Sequence, residues 1–506
     1  MIVDELAHQI RQALNFVPTT EQENAIEVFC RFMTDGNGHS AMIMRGSAGT
    51  GKTTLASAIV KTLLRLRYKV VLLAPTGRAA KVFSLNAGYK ALTIHRKIYR
   101  QKSFVGENTK FSLNDNLSQD TLFIVDEASM VANYGASETV TFGTGRLLDD
   151  LVEFVYSNRN CKLMLIGDKA QLPPVGEVES PALMSDYMEG YGLNIYECDL
   201  NEVLRQAADS GILYNATIIR KMLTHDETTG LPKITFSGFA DIKVVPGGEL
   251  IEQLNSSYSE VGIDDTMVIT RSNKRANIYN AGIRNMVLGR EEELSTGDML
   301  IIVKNNYYWL EKEKEKIQDS EEQQIINTIK SVINKPVKHS HSTANSSLFI
   351  ANGDRAKVLR VRNVRELYGF RFADVLLQFP DYDNYELQVT IILDTLMSDS
   401  ASLTRQQSEQ LFNAVQEDYQ DVHLKADRMK SIREDMYYNA LQVKYAYAAT
   451  CHKAQGGQWA HVYIDQGYMT DDMLTPDYIH WLYTAFTRAT DKLYLVNWPK
   501  TQTVES

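Results

Sequence analysis

Gly46-Ser47-Ala48-Gly49-Thr50-Gly51-Lys52-Thr53-Thr54 places a lysine and two hydroxyls behind a glycine-rich run. That spacing suits phosphate chemistry. The glycines let successive backbone N–H groups converge on a β-phosphate at a helix N-terminus. Lys52 brings a point charge to the β- and γ-phosphates, and the Thr53 hydroxyl is a ligand for Mg²⁺. Farther along, Asp126 and Glu127 stand side by side after an apolar run. Asp126 is expected to hold Mg²⁺ directly or through water, and Glu127 to polarise the attacking water. Gln171, in Gly167-Asp168-Lys169-Ala170-Gln171-Leu172-Pro173-Pro174-Val175-Gly176, is a further group for the γ-phosphate and that water. The stiff Pro173-Pro174 turn is suited to meeting a ligand in a cleft between domains. Together these residues point to hydrolysis of a nucleoside triphosphate.

Such side chains need strands behind them. Ala41-Met42-Ile43-Met44 precedes the glycine loop, and Leu55, Ile59, Leu63 and Leu66 follow it at helical spacing. Residues 70–74, 121–125 and 162–166 are further short apolar runs. They read as buried parallel strands with helices on both faces, an α/β fold. The two acids therefore fall at a strand's C-terminal end, where parallel sheets bind ligands. The pattern resumes at 267–270, stops, and returns at 445–450, 462–464 and 493–496. This predicts one α/β domain over 1–210 and a second over 211–295 and 441–506, split by an insertion at 296–440. Inside the insertion, 300–303, 356–361, 372–379 and 386–393 read as short strands and Asn352-Gly353 as a turn, fitting a small antiparallel barrel. Polar additions at 311–347 and 398–436 contain helical stretches expected to decorate the surface.

The rest of the composition narrows the class. No apolar run approaches the length of about 18 residues that a membrane span needs, and Met1-Ile2-Val3-Asp4-Glu5 does not resemble a signal peptide. Cys30, Cys161, Cys198 and Cys451 are scattered without metal-site spacing, as buried thiols in a reducing compartment would be. An intracellular, cytoplasmic chain is expected. The formal charge of −10 is unevenly spread: residues 1–110 hold 16 Lys and Arg against 7 Asp and Glu. Affinity for nucleic acid follows the local field rather than the total, so a basic track on the first domain is compatible with the acidic whole.

Taken in order, the motifs resemble those of superfamily 1B helicases, in particular the RecD/Pif group with its Dda-type relatives. Thr19-Thr20-Glu21-Gln22 is similar to the Q-motif, Ala74-Pro75-Thr76-Gly77-Arg78-Ala79-Ala80 to motif Ia, and Thr93-Ile94-His95-Arg96 to motif Ib. Residues 167–176 resemble motif III and Leu200–Gln206 motif IV. Ala449–Gly456 resembles motif V, and Tyr483-Thr484-Ala485-Phe486-Thr487-Arg488-Ala489 motif VI. The resemblance implies two RecA-like motor domains with parallel sheets, a pin or wedge inserted in the first at 99–115, and an SH3-like barrel inserted in the second. It implies that Gln22 reads the adenine edge and that Gln458 lies near the ribose. Arg205 and Arg488 would reach the γ-phosphate as arginine fingers. Pro75, Thr76, His95, Pro174, Thr450, His452 and Lys453 would line the strand channel, touching phosphates without reading sequence. Tyr307, Tyr308 and Trp309 are open to base stacking, to contact with the first domain or to core packing.

The activity implied is ATP- and Mg²⁺-dependent movement along single-stranded DNA, 5′→3′ by the family's habit, with unwinding of forked duplex. Replication or recombination proteins are the implied company, and no membrane. An RNA helicase or ribonucleoprotein remodeller of the same superfamily is the alternative, because a phosphate-gripping channel discriminates poorly at the 2′-OH. A nucleotide-switched binding module is another, against which Glu127, Gln171, Arg205 and Arg488 all argue. Phe104 and Phe111, flanking Gly106-Glu107-Asn108, are candidates to stack on the first unpaired base.

Overall fold

The computed structural model describes residues 2–101, 110–134, 141–202, 209–224, 230–306, 308–310, 312–313, 350–382 and 384–504. Arg205, Tyr307, the pin apex at 102–109 and nearly all of the 311–347 addition lie outside the described residues. The chain forms two compact units, one of residues 1–98, 110–291 and 446–506, the other of 99–109 and 292–445.

The first unit contains two wholly parallel sheets. Its first sheet comprises β1 (Ser40–Gly46), β2 (Lys69–Ala74), β3 (Ala91–Thr93), β6 (Thr121–Val125), β8 (Lys162–Gly167) and β9 (Asn194–Leu200), in the order β3-β2-β6-β8-β1-β9. The sequence explains the order of burial. β6 and β8 are buried at every position, as central strands covered on both faces must be. β9, at the edge, exposes Asn194, Glu197 and Asp199 and buries only Cys198 and Leu200. In the interval between β3 and β6, Tyr99–Gln101 (β4) and Lys110–Leu113 (β5) are strands, and β5 pairs with Thr141–Phe142 (β7). One face of the sheet packs helices Ile2–Leu14, Thr20–Thr34, Lys52–Arg65 and Gly77–Ala87 around a core of Ile26, Phe29, Met42, Ile59 and Phe83.

The second sheet orders β10 (Ile242–Val245), β11 (Thr266–Thr270), β17 (Ala448–Thr450), β18 (Trp459–Asp465) and β19 (Ala489–Val496) as β10-β19-β18-β11-β17. Its core joins Ile269, Ile464 and Leu495 to Tyr478, Leu482 and Phe486 of helix Pro476–Phe486.

The second unit is a closed five-stranded barrel of β12 (Met299–Ile302), β13 (Arg355–Leu367), β14 (Phe370–Phe379), β15 (Tyr385–Ile392) and β16 (Leu441–Tyr445). Two readings of the sequence change here. Residues 445–450 are not one strand, because Leu441–Tyr445 closes the barrel against β12 and β15 whereas Ala448–Thr450 joins the second parallel sheet. Residues 441–445 therefore pair with the insertion, not with the second α/β domain. Both halves of the run are apolar and buried, so periodicity could not separate them. The 398–436 addition is more than decoration: helices Arg405–Asp418 and Lys425–Arg433 pack Leu411, Val415 and Ile432 against Phe370, Phe372 and Ile392 of the barrel. Trp309 is buried and donates through Nε1 to Asn439 O at 2.8 Å, which places it in the core.

Candidate functional site

The glycine loop is shaped as its composition requires. Gly49 and Gly51 take φ of 77° and 80°, the left-handed region that glycine enters without strain. A Cβ on Gly46 would stand 2.9 Å from both Leu200 Cβ and Lys52 Cγ, so only glycine leaves room there. Thr50 Oγ1 donates to Ser47 O at 2.9 Å and braces the turn. Lys52 opens the helix and donates its ammonium to Gly46 O at 2.5 Å and Ser47 O at 2.7 Å. Those are the loop's own carbonyls, so the charge is held beside the concavity.

Asp126 and Glu127 leave the end of β6 together. Burial and the adjacent Glu127 carboxylate raise the Asp126 carboxyl above its usual range. Glu127 sits at φ 53°, uncommon for a side chain other than Asn, Asp or Gly and a mark of strain held at a working position. Gln171 is buried, and among the described residues its Oε1 lacks a hydrogen-bond partner. Thr53, Asp126, Glu127 and Gln171 line one cleft of about 670 Å³ with Ser47, Ala48, Gly49, Gly51, Lys52 and Thr54. A buried amide oxygen without a partner, on a residue that lines the cleft, is an acceptor available to a water hydrogen.

The second sheet closes the other side of this cleft with Gly456, Gln458, Thr487 and Arg488. Arg488 is almost wholly buried and held at three points: Nε to Thr484 O (3.1 Å), Nη1 to Gly457 O (3.2 Å) and Nη2 to Thr487 Oγ1 (3.2 Å). Its Nη1 lies 3.9 Å from Glu127 Oε1. Gln458 is exposed at the rim, and its carbonyl accepts from Arg78 Nη2 at 2.6 Å.

Two residues the sequence reading passed over reach the loop. Tyr483 accepts at its hydroxyl from Ala48 N (3.0 Å) and donates to Asp168 Oδ2 (2.6 Å), so one phenol ties the phosphate loop to the loop after β8. Burial, reinforced by Asp168, holds that phenol well above its usual range and keeps its proton. Arg220, on helix Gly211–Thr224, donates to Ser47 Oγ and, at 3.1 Å, to Asn201 Oδ1. Tyr483 opens motif VI and was legible there; Arg220 sits in an unremarked helix and was not.

Other expected positions behave differently. Gln22 is fully buried and does not line the cleft. Its Nε2 donates to Thr50 O at 2.9 Å, and its Oε1 accepts from Thr19 N in a capping box, so it braces the phosphate loop. Thr76 caps helix Gly77–Ala87 by accepting from Ala79 N at 3.2 Å. Pro174 is buried, whereas the neighbouring Val175 and Val178 are 74% and 84% exposed. His452 is exposed, Pro75, His95, Thr450 and Lys453 are partly buried, and burial lowers the His95 imidazole to about 4. Cys451 is buried, which pushes its thiol up to about 12 and leaves it inert.

Residues 18–221 match the AAA domain family, and residues 445–496 match the UvrD-like helicase C-terminal domain. The uncharacterised protein R530 of Acanthamoeba polyphaga mimivirus is 24% identical over 529 residues, covering 94% of this chain and 98% of that protein. The ATP-dependent DNA helicase dda of Enterobacteria phage T4 is 25% identical over 291 residues, 56% of this chain and 60% of that protein. The ATP-dependent RecD2 DNA helicase of Deinococcus radiodurans is 32% identical over 139 residues, 27% of this chain and 17% of that protein. A Bacteroides Pif1 helicase solved with ADP-AlF3 and single-stranded DNA aligns over 97% of this chain and 95% of its own, at 14% identity and a TM-score of 0.46. Among the described residues no helix is long and apolar enough to cross a membrane. The two matched domain families and the dda and RecD2 relatives together support an ATP-dependent helicase of superfamily 1B, RecD-like in kind.

Proposed function

We propose that the chain moves along single-stranded DNA at the expense of ATP and opens forked duplex ahead of it, travelling 5′→3′. One observation supports the motor half of this reading above the rest. The phosphate loop, Asp126, Glu127 and Gln171 on one sheet meet Arg488 from the other across a single cleft. Lys52 is positioned to move from the loop carbonyls onto the β- and γ-phosphates, where its charge counts most in the transition state. Glu127 would orient the attacking water and Gln171 Oε1 would accept from it. Arg488 would stabilise charge on the γ-phosphoryl group only when the two sheets close, so hydrolysis reports closure.

The donor set also fits Mg²⁺. The Thr53 hydroxyl and Asp126 carboxylate are hard oxygen ligands, and two adjacent acids in a buried cleft are stabilised by a cation. Mg²⁺ held there would neutralise charge on the phosphates.

For the strand, exposed His452 with partly buried Thr450, His95 and Lys453 offers donors that suit phosphate rather than bases. The dda and RecD2 relatives are named DNA helicases, which favours DNA over RNA for this chain. ATPase stimulation by matched DNA and RNA oligonucleotides tests that choice. Single-strand affinity should fall with salt at a log–log slope of about −0.7 per phosphate neutralised. His452→Ala should weaken binding similarly across unrelated sequences, whereas strong sequence dependence would indicate base readout.

A further inference from the structure

The second sheet carries an arrangement for which nucleotide hydrolysis has no use. His461 in β18 is fully buried, and among the described residues its Nε2 has no hydrogen-bond partner closer than the 3.5 Å approach of Asp491. That nitrogen faces Asp491 Oδ2 at 3.5 Å and Glu260 Oε2 at 3.9 Å, two carboxylates that are each about half exposed. Glu260 ends helix Leu250–Glu260, and Asp491 lies on β19.

The hydrogen bonds behind His461 fix its tautomer. Tyr463 donates its hydroxyl to Gln253 O at 2.9 Å, and a carbonyl can only accept. The tyrosine's single proton is thereby used, so Ser257 Oγ, 2.6 Å away, must donate to it. Ser257 Oγ then accepts from His461 Nδ1–H at 2.8 Å. Neutral His461 is left with a bare Nε2 lone pair aimed at two anions. A cation placed between the three groups resolves the repulsion.

We propose that His461, Asp491 and Glu260 form a binding site for a divalent transition-metal cation, Zn²⁺ in the first instance. Zn–N and Zn–O bonds of about 2.0–2.2 Å put tetrahedral ligand atoms about 3.3–3.6 Å apart. The three ligand atoms lie within 4.8 Å of one another, and rotation of the two surface carboxylates closes the difference. Water takes the fourth position. An imidazole among the ligands selects against Mg²⁺ and Ca²⁺. The Ser257–Tyr463–Gln253 chain is the outer support that metal-bound histidines generally have. Lys492 donates to Glu260 Oε1 at 2.7 Å, which leaves Oε2 for the metal while its charge weakens the site. The bound ion would pin the end of helix Leu250–Glu260 to β18 and β19.

The test uses the whole chain, stripped with chelator and free of nucleotide. ZnCl2 is titrated by calorimetry and by thermal unfolding, and Co²⁺ by its visible absorption. One equivalent of Zn²⁺ should bind and raise the Tm, and Co²⁺ should give the spectrum of a tetrahedral N/O site. Glu260→Gln and Asp491→Asn, surface changes that leave the core intact, should each weaken binding by at least about tenfold. Ser257→Ala, which alters no charge, should weaken it by about 10–100-fold. Zn²⁺ affinity unchanged in the Glu260→Gln/Asp491→Asn double variant would overturn the proposal, as would no binding at all. So would a metal-free protein that gains stability as pH falls through the usual histidine range and loses that gain in Asp491→Asn. That sign means a raised folded-state pKa, with an imidazolium filling the gap.

Discussion

Lys52, Glu127 and Arg488 differ in how tightly they are held, and the difference separates their tasks. Lys52 is bonded to carbonyls it can leave, Glu127 is fixed by a strained backbone, and Arg488 is locked by three hydrogen bonds. Lys52→Ala should abolish ATP turnover in a phosphate-release assay; turnover within about threefold of the parent would contradict its place at the phosphates. Arg488→Lys keeps a charge but loses the planar fork. It should bind nucleotide normally and lose about 10³–10⁵-fold in strand-stimulated hydrolysis if the fork acts at the γ-phosphoryl group. Near-normal stimulated rates would remove Arg488 from the reaction. Tyr483→Phe leaves buried Asp168 Oδ2 and Ala48 N without their shared partner. Urea unfolding should show a loss of about 1–3 kcal/mol, and an unchanged midpoint would show that the tie carries no stability.

At the scale of elements, legibility followed burial. β1, β2, β6, β8 and β11 are short apolar runs buried on both faces, and the sequence displays them directly. β9 and β10 went unread because edge strands carry polar residues on an open side: Asn194-Ile195-Tyr196-Glu197 has neither strict alternation nor an apolar run. The phosphate loop was legible because glycine, lysine and threonine are each irreplaceable at their positions. Arg220 was not, because its approach to Ser47 depends on how a helix docks and no local pattern records that. The same holds for His461, whose partners come from residues 204 positions upstream and from a neighbouring strand. Gln22 was read as an adenine contact, whereas its buried amide bonds Thr19 N and also Thr50 O, a partner that no local pattern records. Its capping box with Thr19 predicts a loss of about 1 kcal/mol in thermal unfolding for Thr19→Ala, with a matching rise in the KM for ATP because the helix braces Thr50. The pin interval is tested by replacing 102–112 with a Gly/Ser linker. Strand-stimulated ATPase should persist while duplex unwinding collapses, and unwinding at the parental rate per ATP would put the wedge elsewhere.

Across the whole molecule, contacts between the two parallel sheets gather around one place. Thr484 accepts from Leu172 N at 2.7 Å, Gln455 donates to Leu172 O at 2.7 Å, and His480 donates to Ala170 O at 2.9 Å. Arg78 lies over Trp459 with 4.7 Å to the ring centroid. All flank the cleft that Arg488 enters, so opening or closing it must break or remake the same few bonds. Under the proposed function, a local event at the γ-phosphate would become relative movement of two sheets, and alternating grip on a strand would turn that movement into travel. Under the proposed function, hydrolysis is coupled to directional strand separation. A strand-displacement assay with 5′-tailed, 3′-tailed and blunt DNA duplexes, each with and without ATP, tests it most directly. The account predicts displacement of the 5′-tailed duplex alone, only with ATP, and none by the Lys52→Ala protein. Displacement that proceeds equally without ATP, or that fails on every tailed duplex while strand-stimulated ATPase is intact, would contradict it.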